Sequence, residues 1–440
     1  MKLSGWGGFP SHETRLVAPR SITQLVDAVH DGNAIARGNG RAYGDSAIGS
    51  NTTINMRHFN HMIAFNAQTG VLETEAGVLL SDIIDAFLPR GWFPYVTPGT
   101  KYVSVGGIIA ADVHGKNHHK DGSLRNFVDW LEVMGPSGEI VRCSPTQNEE
   151  LFGWTVGGMG LTGIIVRAAI RLRPVESGWI KQRTIVAENI DAAIDIFEDN
   201  SDASYSVAWI DCLSTADKAG RSVIMLGEHA SMNDLDDKTR RRPHALATKG
   251  KLSVPFHFPS WVLNQFSVRA FNSVYFRNLK WQIGEQLLSW DKYFYPLDAI
   301  NGWNKIYGRK GFMQFQCTLP LASSREALHE ILGKISSTGS GSFLSVLKRF
   351  GAQEGGISFP MEGYTLALDF PVSKKTIELM SQLDEITLKY GGRFYLAKDS
   401  RMSAATLDSS DNRSKHFATW RAENGLNTTF QSVQSQRLGL

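Results

Sequence analysis

PGTKYVSVGGIIAADVHGKNHH, residues 98–119, is the stretch on which the reading of the whole chain turns. Gly99, Gly106, Gly107 and Gly115 omit side chains where a backbone has to come close to another group. Asp112, His114, Lys116, Asn117, His118 and His119 crowd polar groups into the same short segment. Glycine-rich backbone beside a dense polar cluster suits a cofactor cradle that adjoins a reaction site. It equally suits a tight structural turn with a solvated polar loop, so the neighbouring sequence has to choose.

Two further glycine stretches flank this one. RGNGRAYGDSAIG, residues 37–49, follows a short strand at 34–36, and its free N–H groups suit a phosphate pair. Arg37 and Arg41 add positive charge there. The loop is not a GxGxxG turn opening a long helix, so a Rossmann reading is poor. VGGMGLTGIIV, residues 156–166, repeats the theme and runs into a strand at 163–172. Around these, Ser21 heads a helix whose apolar face is Ile22, Leu25, Val26 and Val29. Hairpins are expected at 62–76 and 128–143, with turns at 68–70 and 136–138. Between them, Ser81 is expected to cap a helix carrying Ile83, Ile84, Phe87 and Leu88, which Pro89 ends. Up to Pro174 the chain reads as one domain whose three glycine loops converge on one elongated ligand.

The character changes after about residue 176. A helix is expected at 190–197 and a strand at 206–210, and residues 214–250 are mostly polar. Residues 251–281 are rich in aromatics, with Lys251, Arg269, Arg277 and Lys280 among them, and show no clean helical period. A lid over an apolar ligand, a membrane-surface contact and plain core packing all fit that segment. MQFQC (313–317) and FLSVLKRFG (343–351) alternate like half-exposed strands. That alternation places Gln314 with Gln316, and Lys348 with Phe350, on common faces. Helices at 323–335 and 374–389, the second ended by Gly391-Gly392, and a strand at 365–370 complete an antiparallel sheet covered by helices.

The length of 440 residues suggests two or three domains. A net charge of only +3, with Lys and Arg dispersed, argues against nucleic-acid binding, and the RRRP run at 240–243 reads as a solvated loop. Cys143, Cys212 and Cys317 lie far apart, so neither a disulfide framework nor a metal site is expected. No apolar run approaches about 18 residues, and the first residues lack a signal core and a twin-arginine pair. The expected location is the cytosol, or the cytosolic face of a membrane.

GNGRAYGD (38–45), residues 98–119, residues 156–166 and YLAKDSR (395–401) together resemble the decaprenylphosphoryl-β-D-ribose 2′-oxidase family, a branch of the vanillyl-alcohol-oxidase type of FAD flavoproteins. The resemblance runs in matching order from about residue 15 onward and includes YPLD (295–298), GFMQFQC (311–317) and FLSVLKRFG. It implies a two-domain α+β fold. Residues 1–175, completed by 393–440, would bind FAD, and residues 176–392 would form a substrate domain on an antiparallel sheet. By similarity Arg37, Gly38, Asn39 and Gly40, followed by Arg41, Ala42, Tyr43 and Gly44, hold the FAD pyrophosphate and its surroundings. Pro98, Gly99 and Thr100 join them. Gly106, Gly107, His114, Gly115 and Asn117 line the cofactor, while Gly163, Ile164 and Ile165 lie near its adenosine end. Many relatives attach FAD through a histidine of the first loop; Arg41-Ala42-Tyr43 contains none, so noncovalent FAD is expected.

The implied reaction oxidises the 2′-hydroxyl of a polyprenyl-phosphoryl-β-D-ribose, the first half of an epimerisation to the arabinose donor for cell-envelope arabinan. The implied partner is a short-chain NADH-dependent reductase that takes the 2-keto product. The flavin carries the redox chemistry, so the protein has to position the sugar and manage a proton. Lys398 matches the family lysine near flavin and sugar. It acts as base if burial weakens its hold on a proton, and otherwise as an electrostatic stabiliser, the role slightly favoured. Tyr395 packs against the flavin, His114 hydrogen-bonds flavin or substrate, and Lys116 pairs with the substrate phosphate or orients its neighbours. Gln314, Gln316 and Lys348 match polar substrate positions, with Phe350, Thr365 and Trp209 completing the set. Ala367 stands where mycobacterial members have cysteine, so inhibitors needing that thiol should fail here. Thr365 stands where the family has asparagine, which bears on fine substrate choice. The nearest alternative is an oxidase of a free sugar, alditol or aldonolactone, and the aromatic segment argues mildly for a lipid carrier instead. A non-catalytic flavin-binding scaffold is the third reading, opposed by Lys398, His114 and Lys116.

Overall fold

The computed structural model describes residues 1–245, 252–259, 262–281, 283–342 and 344–440; Lys251 and Phe343 lie outside these. Three sheets position the site. The first is small and parallel, with Thr52–Asn55 between Arg15–Val17 and Ala34–Arg37. The helix Ile22–His30 carries the chain from one outer strand, Arg15–Val17, to the other, Ala34–Arg37. Ser21 accepts from the Gln24 N–H at its head, and Leu25, Ala28 and Val29 form its buried face.

The second sheet is antiparallel and centres on Ile164–Pro174, which pairs with Val128–Met134, Val71–Glu75 and Trp92–Pro94. The hairpins expected at 62–76 and 128–143 are its outer arms. The helix Leu80–Phe87 packs Ile83, Ile84 and Phe87 into the core. Ser81 does not cap it: the helix begins after Leu79, and Ser81 sits inside the first turn, bonded to Asp82.

The third sheet has eight strands. Their order is Gly284–Ser289, Trp179–Ala187, Ser222–His229, Tyr205–Ile210, Ser345–Phe350, Gly363–Pro371, Phe312–Pro320 and Arg393–Phe394. Helices Ile190–Asp199, Ser324–Thr338 and Lys374–Lys389 cover one face, burying Phe197, Ile331 and Leu383 against Leu319, Leu366 and Leu368. The opposite face carries Gln314, Gln316, Lys348 and Thr365 toward the first two sheets.

Three expectations need correction. The strand Phe312–Pro320 is covered on both faces, because its polar side lines an internal cavity and not solvent; Gln314 and Gln316 are 7% and 6% exposed. The region read as merely polar contains the buried strand Ser222–His229, whose Ile224 and Leu226 pack into the helix-covered core while Val223 packs beside Trp209 on the other face. The aromatic segment forms the helix Gln265–Lys280, capped by Asn264. Core packing does not account for it: only Val268, Asn272 and Leu279 are buried, while Phe266 is 83% exposed and Trp281, just beyond the helix, 84%. No helix among the described residues is long and apolar enough to cross a membrane.

Candidate active site

A cavity of about 600 Å³ lies between the glycine loops and the polar face of the eight-stranded sheet. Strand Ala34–Arg37 delivers the first loop to its wall. Among the described residues, the N–H groups of Asn39, Gly40, Arg41 and Ala42 have no hydrogen-bond acceptor, and neither do those of Gly99 and Thr100. Rows of free N–H groups on a cavity wall form an anion cradle. Gly40 makes the tightness plain: its φ is +65°, and an added Cβ would lie 2.5 Å from Arg37 Nη2. A Cβ on Gly38 would lie 1.9 Å from Ser104 Oγ. Thr100 Oγ1 and the Lys101 N–H both donate to Asp298, at 3.1 and 2.9 Å, tying the second loop to the YPLD segment. Arg41 stacks on Trp6 at 4.1 Å. These features fit a bound dinucleotide diphosphate.

The chain reaches the opposite side through YLAKDSR. After Arg393–Phe394 completes the sheet, the segment turns: Lys398 N–H donates to Tyr395 O, and Tyr43 N–H donates to Ala397 O at 3.0 Å. Arg437 clamps this join, donating to Asp45 at 2.7 Å and to Asp399 at 2.9 Å. The result is that Lys398 Nζ lies 3.7 Å above the Tyr43 ring.

Four lysines border the cavity; Lys292 is exposed, and the three that are more enclosed, Lys116, Lys348 and Lys398, come from separate elements. Lys116 Nζ donates to Tyr293 O and sits 4.0 Å over the Tyr293 ring. The other two amines have no hydrogen-bond or ion-pair partner among the described residues. Enclosure pulls Lys116 down to about 7, helped by the Lys348 charge, and Lys348 down to about 8. Lys398 moves the same way for the same reason, with Asp369 opposing the shift. His114 is held neutral, first by burial and then by Lys348. Gln316 Nε2 lies 3.2 Å from His114 Nε2 and 3.3 Å from Thr365 Oγ1. An amide nitrogen can only donate, so His114 accepts at Nε2 and carries its proton on Nδ1. That Nδ1 is buried with no partner among the described residues. Tyr395 donates to Ala111 O and stacks on Phe359 at 4.6 Å. Gln314 Nε2 donates to Asp369 at 2.5 Å and to the Tyr43 hydroxyl at 3.5 Å, which leaves its carbonyl for the cavity.

Six of the residues singled out from sequence do not line the cavity. Arg37 turns away to donate to Ser4 O and Ala47 O. Gly44 allows close approach to Asp399, whose carbonyl would lie 2.1 Å from an added Cβ. Gly115 packs on Asn117 and Thr97, and Asn117 itself donates to Tyr95 O and Asp121. Ile164 belongs to the core beneath the first sheet. Phe350 backs the rings of His114 and His118, at 4.7 and 4.4 Å. Half of the polar cluster that drew attention first is likewise structural. Asp112 accepts from Ser123, the Arg125 N–H and Gln353, while His118 meets Gln353 and His119 meets Ala203 O. The remaining sequence candidates border the cavity, among them Gly163, Ile165, Thr365 and Trp209.

Sequence reasoning missed Asp369, Tyr307, Asp298 and Arg437. Asp369 had a signal, because strand alternation puts it on the same face as Thr365 and Ala367. Arg437 had none, since its partner Asp45 lies 392 positions earlier. Beyond the lysines the cavity turns apolar, between Val207, Trp209, Met225, Tyr275, Leu279 and Leu288. Tyr275 and Leu279 come from the helix that exposes Phe266.

Residues 14–144 match the family described as FAD binding domain. Over its whole length the chain is 34% identical to decaprenylphosphoryl-beta-D-ribose oxidase of Mycolicibacterium smegmatis, covering 97% of that protein. It is 28% identical to a Streptomyces coelicolor protein described by its position in the mprA 5′ region, across 82% of this chain and all of that one. A D-lactate dehydrogenase of Anaerostipes hadrus is 28% identical over 34% of this chain and 33% of its own.

Proposed function

Since the chain belongs to the decaprenylphosphoryl-β-D-ribose oxidase family and is an FAD-dependent oxidoreductase, we propose that it oxidises the 2′-hydroxyl of a polyprenyl-phosphoryl-β-D-ribose to the 2-keto sugar. One observation carries this reading: a lysine-rich polar face adjoins an apolar channel within one cavity. A phosphate needs the first, and an isoprenoid chain needs the second. Bound FAD supplies the hydride acceptor. Lys398 is placed to receive the hydroxyl proton, because enclosure disfavours its charged form. Lys348 and Lys116 neutralise the phosphate, Gln316 and Thr365 hold sugar hydroxyls, and Trp209 packs on the sugar or the first isoprene units. The N–H groups of residues 39–42, 99 and 100 hold the FAD diphosphate.

With Arg41-Ala42-Tyr43 in the first loop, the flavin is held without a covalent bond. Acid precipitation should leave it in the supernatant, and yellow colour in the pellet would refute that statement. The exposed aromatics of the Gln265–Lys280 helix, with Arg269, Arg277 and Lys280 beside them, dock on a membrane surface that presents the lipid substrate. We further assign the sheets to two domains, residues 1–175 with the final segment for FAD and 176–392 for substrate. An NADH-dependent short-chain reductase would consume the keto sugar. Mixing the yellow protein anaerobically with polyprenyl-phosphoryl-ribose tests the reading: the flavin should bleach. Bleaching by free alditols, D-lactate or aldonolactones, with none by the lipid sugar, would replace it.

A further inference from the structure

Two ionisable groups at the head of the cavity, Asp369 and Lys398, lack among the described residues the ion-pair partners that such groups ordinarily have. Asp369 is 1% exposed and stands directly opposite Gln314 in the sheet, one step beyond Ala367 on the cavity-facing side. It does not itself border the cavity. Its carboxylate accepts from Gln314 Nε2 at 2.5 Å and from the Tyr307 hydroxyl at 3.5 Å. No Lys or Arg among the described residues forms an ion pair with it. Lys398 likewise has no carboxylate partner among the described residues.

Tyr43 joins the two. Its ring face carries the Lys398 amine at 3.7 Å, and its hydroxyl receives the second hydrogen of the Gln314 amide. The other groups facing this pair cannot take the role of Asp369. Lys348 from the neighbouring strand repels the Lys398 charge. His114 is neutral, Arg41 is a cation, and Tyr43 and Tyr307 are kept protonated by burial. Asp298 is tied to Thr100 and Lys101, and Asp399 to Arg437, so Asp369 is the carboxylate left to act on Lys398, across the Tyr43 ring and the Gln314 amide.

We propose that Asp369 is a positioning residue: without touching sugar or flavin, it sets how tightly Lys398 holds a proton. In the oxidation the hydroxyl O–H bond breaks and its proton passes to the neutral amine, while the C2 hydrogen leaves with its electron pair for the flavin. Ionised Asp369 stabilises the ammonium so formed; protonated Asp369 returns the amine to its neutral form. The catalytic meaning of this coupling rests on the reaction proposed above, but the coupling itself does not.

The test uses flavin-loaded protein carrying lysine labelled with carbon-13 at Cε, followed by NMR across pH, with Lys398→Arg to assign the resonance. Asp369→Asn should lower the Lys398 midpoint by about one pH unit or more, the size of effect expected from losing a nearby opposite charge. Asp369→Glu, which keeps the charge, should restore most of it. If Asp369→Asn does not retain flavin, Gln314→Met removes the donor that favours ionised Asp369 and should move the Lys398 midpoint the same way. A Lys398 midpoint that stays put in these variants overturns the proposal. Wild-type protein that shows the coupling but whose flavin is not bleached by polyprenyl-phosphoryl-ribose would overturn the reaction instead.

Discussion

The first glycine loop meets the cavity with backbone, whereas the eight-stranded sheet meets it with side chains. On the loop side, free N–H groups face inward and the side chain of Arg37 is turned outward to hold Ser4 and Ala47. On the sheet side, amides and lysines project from adjacent strands, and Gln314, Gln316 and Thr365 are already engaged with one another's neighbours. Backbone donors are fixed by the path of the chain and cannot change charge. Side-chain cations can, and the enclosure around Lys116 and Lys348 has brought them close to doing so. The difference matches the two roles proposed above, a fixed cradle for the cofactor and a proton-handling face for the substrate.

The largest effect expected from this contrast is on the sheet side. Lys398→Met should keep FAD bound yet slow flavin reduction by substrate by about 10²–10⁴-fold, the usual worth of a placed proton acceptor; undiminished reduction in stopped flow would move the chemistry elsewhere. Next comes the loop side. Gly40→Val forces a branched side chain to φ +65° and into the Arg37 guanidinium, a strain of about 1–3 kcal/mol. FAD affinity, read by flavin fluorescence, should fall about tenfold to a hundredfold, with the sheet unaffected.

A smaller effect concerns pH. The folded protein holds the Lys348 proton more weakly, at about 8 against the model-compound 10.5. Between those values the unfolded chain binds more protons, so stability of the flavin-free protein should rise with pH across that window. Lys348→Met should flatten the rise in thermal melts, and an unchanged slope would mean that Lys348 is not enclosed. Smallest of all, Phe266→Ser combined with Trp281→Ser should alter unfolding free energy by no more than about 0.5 kcal/mol, because both side chains are exposed. The same pair should abolish co-sedimentation with anionic vesicles, and retained binding would locate the membrane contact elsewhere.

The contrast also explains what was legible in the sequence. Glycine is a local signal, so the loops at 37–49, 98–119 and 156–166 could be found without knowing what they touch. Their partners could not. His118 and His119 carry the same imidazole as His114, and Asp112 an equally polar carboxylate, but strand pairing and loop closure direct these three to Gln353 and Ala203 while His114 reaches Gln316. The alternation in MQFQC gave the right shared face and the wrong environment, since a period of two cannot tell an internal cavity from solvent. The helix Gln265–Lys280 went unrecognised because aromatics occupy several of its faces, which removes the apolar stripe that usually marks a helix.

Arg437 reaches back 392 positions to Asp45, which is 1% exposed. During synthesis on a ribosome, the first glycine loop is finished long before the residue that latches it exists. The loop that carries Asp45 therefore stays unlatched until the helix Val433–Leu438 has been made and has folded back onto it.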